Sequence, residues 1–182
     1  TRLSEYVMAT DKRYLAQVRL GATTETDDAE GQLRDERPIA HLSEADIAAA
    51  LARFNGEIEQ IPPMYSAIKR GGEKLYDIAR RGQAIERLPR RVWLQTRLLR
   101  YDAPYAEIAI ECSHGTYVRS LARDLGEALG VGGFLAGLRR LASGSFDQAV
   151  SWDALRAAFA DGTWQRYLQD ERAALPHLRE VQ

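Results

Sequence analysis

The chain has 182 residues, with 25 Lys or Arg against 26 Asp or Glu and a formal net charge of −1, which excludes a uniformly basic nucleic-acid binder. Its length, 45% hydrophobic and 28% charged content suit one domain, or one with a small appendage, around a real core. No apolar run approaches the roughly 20 residues of a membrane span, and one cysteine, Cys112, excludes an internal disulfide.

In chain order, the first residues, "TRLSEYVMAT", read as the tail of a helix feeding a strand, as if the chain began inside a domain. Lys12 to Leu20 alternates: Tyr14, Ala16, Val18 and Leu20 share one face, with Arg13, Leu15, Gln17 and Arg19 on the other. "GATTETDDAEG" follows. Its Asp27, Asp28 and Glu30 lack the spacing of a calcium loop and predict a solvated acidic turn, after which "QLRDER" completes a hairpin. Ser43 with Asp46 predicts a capped helix carrying Ile47, Leu51 and Phe54 inward and ending at Gly56.

"IPPMYSAIK" reads as extended, since proline biases its predecessor away from helix; "RGG" turns it and "EKLYDIARRG" predicts a short helix. "RVWLQTRLL" is a strand with Val92, Leu94, Thr96 and Leu98 on one face, and "AEIAIECS" is another with Ile108, Ile110 and Cys112 together. After Gly115 a helix places Val118, Leu121, Ala122, Leu125 and Leu129 on one side, up to Gly130. "GVGGFLAGLRRLASGSF" is glycine-rich without the order of a phosphate-binding loop, and "SWDALRAAF" and "WQRYLQDERAALPHL" predict two closing helices. Strands and helices mix without strict βαβ alternation, which predicts an α+β fold.

Two features ask for partners. Between Lys69 and Arg100 there are ten Lys or Arg against three acids, a local excess of +7 that leaves −8 elsewhere, so a polyanion would be met locally. Arg119 and Arg123 stand i, i+4 at the start of a helix, on the flank away from its core, where the helix dipole disfavours them by roughly 0.3–1 kcal/mol. They are a plain surface pair or they meet an anion, either a carboxylate from elsewhere in the fold or a phosphate. Tyr14 reads by default as a core tyrosine, and Cys112 with His114 as a buried thiol beside a turn histidine. Cysteine usage points to a reducing, cytoplasmic compartment.

The blocks "DKRYLAQVRLG", "TDDAEG", "IPPMYSAIKRGGEKLYDIARRG" and "CSHGTYVRSLARDLGEALG" occur in the order and spacing of the TruB family of tRNA pseudouridine synthases, and the resemblance runs over nearly the whole chain. It implies an isomerase that converts uridine 55 in the tRNA T loop, on a mixed, largely antiparallel sheet flanked by helices and incomplete at its N-terminus. Residues 1–150 would be a partial catalytic domain and 151–182 helices leading toward a small C-terminal RNA-binding domain absent from the chain.

By the same resemblance, Tyr14 stacks on the flipped uracil, Tyr117 and Arg119 lie beside the nucleophile, and Leu138 packs near the base. The block 63–82, with Met64, Tyr65, Lys69, Arg70 and Lys74, resembles the thumb that closes on the T arm. His114 stands where the family commonly has lysine. Arg119 would ion-pair with a nucleophilic aspartate, lowering its pKa and keeping it ionised. That aspartate belongs to a Gly-x-Leu-Asp-Pro-x-Ala-Thr-Gly type motif that this chain does not contain; Asp11, Asp27 and Asp28 occupy other family positions. The nucleophile is therefore expected upstream of Thr1, and the 182 residues alone are expected to be inactive. The implied partner is the tRNA T arm, with no membrane, no protein partner, a monomeric state, and no cofactor or metal. The alternative is a non-catalytic RNA-binding member or fragment of the same family.

Overall fold

The computed structural model describes residues 10–66, 69–70, 73–74, 81 and 86–168, with backbone alone at 69–70 and 73–74. Among the described residues nine strands and three helices form, the strands being β1 (Lys12–Leu20), β2 (Ala22–Thr24), β3 (Leu33–Glu36), β4 (Gly56–Gln60), β5 (Lys69–Arg70), β6 (Glu73–Lys74), β7 (Arg90–Asp102), β8 (Tyr105–Cys112) and β9 (Gly133–Ser143). The helices are α1 (Glu44–Ala52), α2 (Val118–Ala128) and α3 (Trp152–Ala160), with a 3-10 turn at Trp164–Tyr167. Five strands make one antiparallel sheet in the order β4-β7-β8-β1-β9, and β2–β3 and β5–β6 are separate hairpins.

The alternating strands bury the faces their sequences predict. Ala16, Val18 and Leu20 of β1, Val92, Leu94 and Thr96 of β7, and Ile108, Ile110 and Cys112 of β8 are all buried. Ile47 and Leu51 of α1 and Val118, Leu121, Ala122 and Leu125 of α2 close over that face and complete the core. Helix α1 starts as predicted: the Ser43 hydroxyl accepts from Asp46 N–H and the Asp46 carboxylate accepts from Ser43 N–H, a full capping box.

Helix α2 lies against β9 with no side chain between them. A β-carbon at Gly126 would fall 2.1 Å from the backbone nitrogen of Gly133, and the Gly126 carbonyl accepts from both Val131 N–H and Gly132 N–H. Gly130 at φ +74 ends the helix, a conformation that L side chains resist.

Four expectations differ from the structure. β4 is a strand where only extended chain after Gln60 was expected; it is short and turns a glutamine inward, so no apolar alternation announces it. β9 is an 11-residue strand inside the glycine-rich segment, where Gly133 and Gly137 interrupt the period. Its first three residues are buried in succession, with α2 packed against it and the acidic turn bonded along its open edge. The helix expected from Glu73 begins instead as a hairpin, Lys69–Arg70 pairing with Glu73–Lys74 across the two-residue spacing that hairpins use. Where the second closing helix was expected there is the 3-10 turn; residues 169–182, and most of 75–85, lie outside the described residues.

Candidate functional site

The site gathers at the start of α2. Gly115, at φ +80, reverses the chain after β8, and Thr116 Oγ1 donates to the Ser113 carbonyl at 2.9 Å. Tyr117, the residue before the helix, has no side-chain cap; its N–H donates to Gln60 Oε1 at 2.8 Å, and Gln60 is 2% exposed at the end of β4. The first orphan amide of α2 is thus satisfied from a neighbouring strand.

Arg119 has an anion. Its Nη1 donates to Asp28 Oδ2 at 3.0 Å and to the Thr26 carbonyl at 3.3 Å, and its Nη2 donates to the Tyr65 carbonyl at 2.6 Å. Asp28 is fixed in turn, its Oδ1 accepting from the Thr26 hydroxyl and from Glu30 N–H. The Arg119 Nε–H meets no acceptor among the described residues, which leaves one arm of the fork for a second oxyanion.

One helical turn on, Arg123 Nη1 donates to Asp27 Oδ2 at 3.1 Å, while its Nε and Nη2 bind Asp124 Oδ1 at 2.9 and 2.7 Å. Arg123 Nη2 also donates to the Ile61 carbonyl. Burial pushes the Asp27 and Asp124 carboxyls up from their ordinary value, with Arg123 opposing it in both. Burial works against the charge of Arg123 itself, but Asp124 and Asp27 outweigh it and raise its pKa.

The acidic turn is therefore not a solvated turn, as its composition suggests. The side chains of Asp27 and Asp28 are only 18% and 20% exposed, and they meet the two arginines of α2 in reverse order, Asp27 with Arg123 and Asp28 with Arg119. The turn also docks on the open side of β9, where Leu135 N–H donates to the Asp27 carbonyl and Ala29 N–H to the Leu135 carbonyl.

The Pro-Pro segment is pinned from the same helix. The Ile61 carbonyl accepts from Ser120 Oγ as well as Arg123, and the Pro62 carbonyl accepts from Arg87 Nη1 at 2.9 Å. Met64 and Tyr65 are half-buried here, and the Tyr65 hydroxyl stands 3.4 Å from Glu25 Oε1. Beside this cluster a cleft of about 580 Å³ is lined by Met64, Asp27, Arg87, Arg123 and Asp124 among others.

Tyr14 and Leu138 occupy a neighbouring position on the sheet. Tyr14 lies opposite Arg140 of β9 and Leu138 lies opposite Ala16, so Tyr14, Leu138 and Arg140 share one face. Leu138 is 49% exposed, and the Arg140 guanidinium lies 5.8 Å from the Tyr14 ring centroid. Burial raises the pKa of the Tyr14 hydroxyl, with Arg140 acting against it. Leu138 is three residues along β9 from Leu135, roughly 10 Å at the rise of a strand.

Tyr117, Arg119, Met64 and Tyr65 are thus brought together, with Tyr14 and Leu138 adjacent on β1 and β9. Lys69, Arg70 and Lys74 sit in the β5–β6 hairpin. Asp27, Asp28, Gln60 and Arg140 are site residues that sequence reasoning missed. The available signal was two arginines lacking anions and two aspartates in a turn lacking cations.

A family model described as TruB family pseudouridylate synthase, N-terminal domain, matches residues 1–118. One described as tRNA pseudouridylate synthase B C-terminal domain matches residues 119–180. A tRNA pseudouridine synthase B of Pseudomonas fluorescens (strain Pf0-1) is 46% identical over 165 residues, 89% of this chain and 54% of that protein. The protein of the same name from Dehalococcoides mccartyi (strain CBDB1) is 44% identical over 184 residues, 100% of this chain and 61% of that protein. The chain thus spans somewhat over half the length of these relatives. A crystal structure of a Cbf5–Nop10–Gar1 complex shares the fold, with a TM-score of 0.71 at 24% identity over 97% of this chain and 46% of that one.

Proposed function

The chain belongs to the TruB family of pseudouridylate synthases, and from that premise we propose that it is the greater part of the catalytic region of a tRNA pseudouridine synthase. Its substrate is uridine 55 in the T loop of tRNA, bound through the T arm in the cytoplasm and converted without cofactor or metal. The observation that carries this reading is the Arg119 fork, held by Asp28 and by the carbonyls of Thr26 and Tyr65 at the start of α2.

An enzyme that acts on a base within folded RNA first extrudes it, and the extruded base needs a stacking surface. Tyr14 supplies the aromatic face and Leu138 an exposed apolar wall on the same side of the sheet. Arg119 favours the ionised form of any carboxylate that approaches its Nε, so an aspartate there stays a nucleophile at neutral pH. That aspartate comes from outside the 182 residues. Tyr117, one residue before the helix, borders the same space. Met64 and Tyr65, with Lys69, Arg70 and Lys74 of the adjoining hairpin, form the thumb-like element that meets the RNA backbone, where positive charge supplies affinity.

The test uses the full-length protein and unmodified T-arm RNA, scoring pseudouridine at position 55. Arg119→Lys is expected to lose most turnover, roughly 100-fold or more, while keeping RNA affinity within a few-fold, because lysine cannot reproduce the planar fork. An equal fall in both sinks the assigned role. If the unaltered protein binds the RNA without converting it, the non-catalytic RNA-binding reading replaces this one.

A further inference from the structure

We propose that Asp27 and Arg123 are positioning residues for this reaction, holding the acidic turn in the conformation that presents Asp28 to Arg119. The inference rests on the function proposed above. Asp27 has φ +61, the one non-glycine residue among those described with a positive φ. L residues resist that left-handed region, and aspartate and asparagine tolerate it better than most. Something must hold Asp27 there, and the structure supplies it. Its carboxylate is bound by Arg123 Nη1 at 3.1 Å, and its carbonyl accepts from Leu135 N–H at 3.0 Å.

The next residue along is Asp28, whose carboxylate then faces Arg119. Arg119 and Arg123 stand about 6 Å apart on the helix surface, as i, i+4 neighbours do. Two consecutive aspartates meet two cations with that separation because Asp27, itself left-handed, turns the chain before Asp28. Arg123 reaches neither Asp28 nor Tyr14; its remaining donors are spent on Asp124 and the Ile61 carbonyl. Its effect on Arg119 is therefore indirect, through the conformation of the turn.

The experiment takes the full-length protein through Asp27→Ala, Asp27→Gly and Asp27→Asn, measuring kcat, RNA Kd and the 15N spectrum of the Arg119 guanidinium. Assays run well below the lowest melting temperature of the set. Asp27→Ala loses both the left-handed tolerance and the ion pair, so kcat should fall about tenfold or more with Kd within about twofold. Asp27→Asn keeps the tolerance and a side-chain acceptor and should recover to within about threefold of the unaltered protein. Asp27→Gly, keeping only the backbone freedom, should fall between.

The Arg119 signals should shift in Asp27→Ala and stay in place in Asp27→Asn, a readout that general loss of stability does not produce. Should Asp27→Ala fail to fold, Arg123→Lys, which keeps the charge and loses the fork, is expected to show the same loss of kcat. Unchanged turnover and unchanged Arg119 signals in the alanine variant overturn the proposal, as does a parallel loss of kcat and RNA affinity. If the unaltered protein makes no pseudouridine, the proposed function fails, while the Arg119 spectrum still decides whether Asp27 governs its environment.

Discussion

Arg123 lies between two carboxylates that burial has pushed up from their ordinary value near 3.8, and this gives the site a signature in pH. A carboxyl whose folded pKa exceeds its unfolded one binds its proton more tightly when folded. Its contribution to stability is complete below the unfolded value and is lost as pH rises through the folded value. Asp124→Asn cannot ionise and escapes that loss. The stability of this variant relative to the parent should therefore improve as pH rises from about 3.5 into the range just above the ordinary carboxylate value. Denaturant midpoints at a series of pH values read this directly, and a difference that stays flat, or moves the other way, removes burial as the governing cause. Arg119 illustrates the complementary case, a cation whose place at the positive end of a helix costs little beside its bond to Asp28.

Helix α2 and the start of β9 meet backbone to backbone, and Gly126 and Gly133 permit it. In an open helix Gly126→Ala would stabilise by about 1 kcal/mol through propensity. Here the added methyl meets the backbone of Gly132 and Gly133 at 2.2 and 2.1 Å, so α2 must lift from the sheet. The expected net cost is about 3 kcal/mol or more, since overpacking against backbone cannot relax by a rotamer change. A urea midpoint equal to or above that of the parent refutes it.

The same pair shows what can be read from sequence. β1, β7 and β8 alternate and are legible, as is α1, whose capping box spans the four residues Ser43 to Asp46. β9 is not, because glycines break its period and its first three residues are buried in succession. At the site the arginine pair is legible from its spacing, but its partners are not. Asp28 and Asp27 lie 91 and 96 residues from Arg119 and Arg123, and no local pattern encodes which turn a helix flank will meet.

Across the whole molecule the charge excess between Lys69 and Arg100 is distributed unevenly. Arg91 stands opposite Glu59 across the β4–β7 pair, Arg100 opposite Glu107, and Arg100 also binds Asp102 at 2.7 Å. Arg97, opposite Ala109, lies on the sheet face turned away from α2. The charges of this segment are therefore not interchangeable toward a polyanion. In the full-length protein, Lys69→Ala or Lys74→Ala should lower the slope of log K against log salt for T-arm RNA by about 1, and Arg97→Ala should leave it unchanged. Equal effects from all three would show that RNA affinity follows total charge and not the hairpin.

The glycine contact also decides how the elements around the site are joined. With Val131 N–H and Gly132 N–H both bonded to the Gly126 carbonyl, the end of α2 is tied to the entry of β9, and the acidic turn is tied to β9 through its backbone bonds to Leu135. Tyr117, Arg119, Asp28 and Leu138 thus stand on one frame of bonded elements. Residues 61–66 join that frame differently: among the described residues they are held to it by side chains donating to their carbonyls, from Ser120, Arg123, Arg87 and Arg119. Pro62 and Pro63 are also fully buried, so this segment is packed against the frame as well as bonded to it.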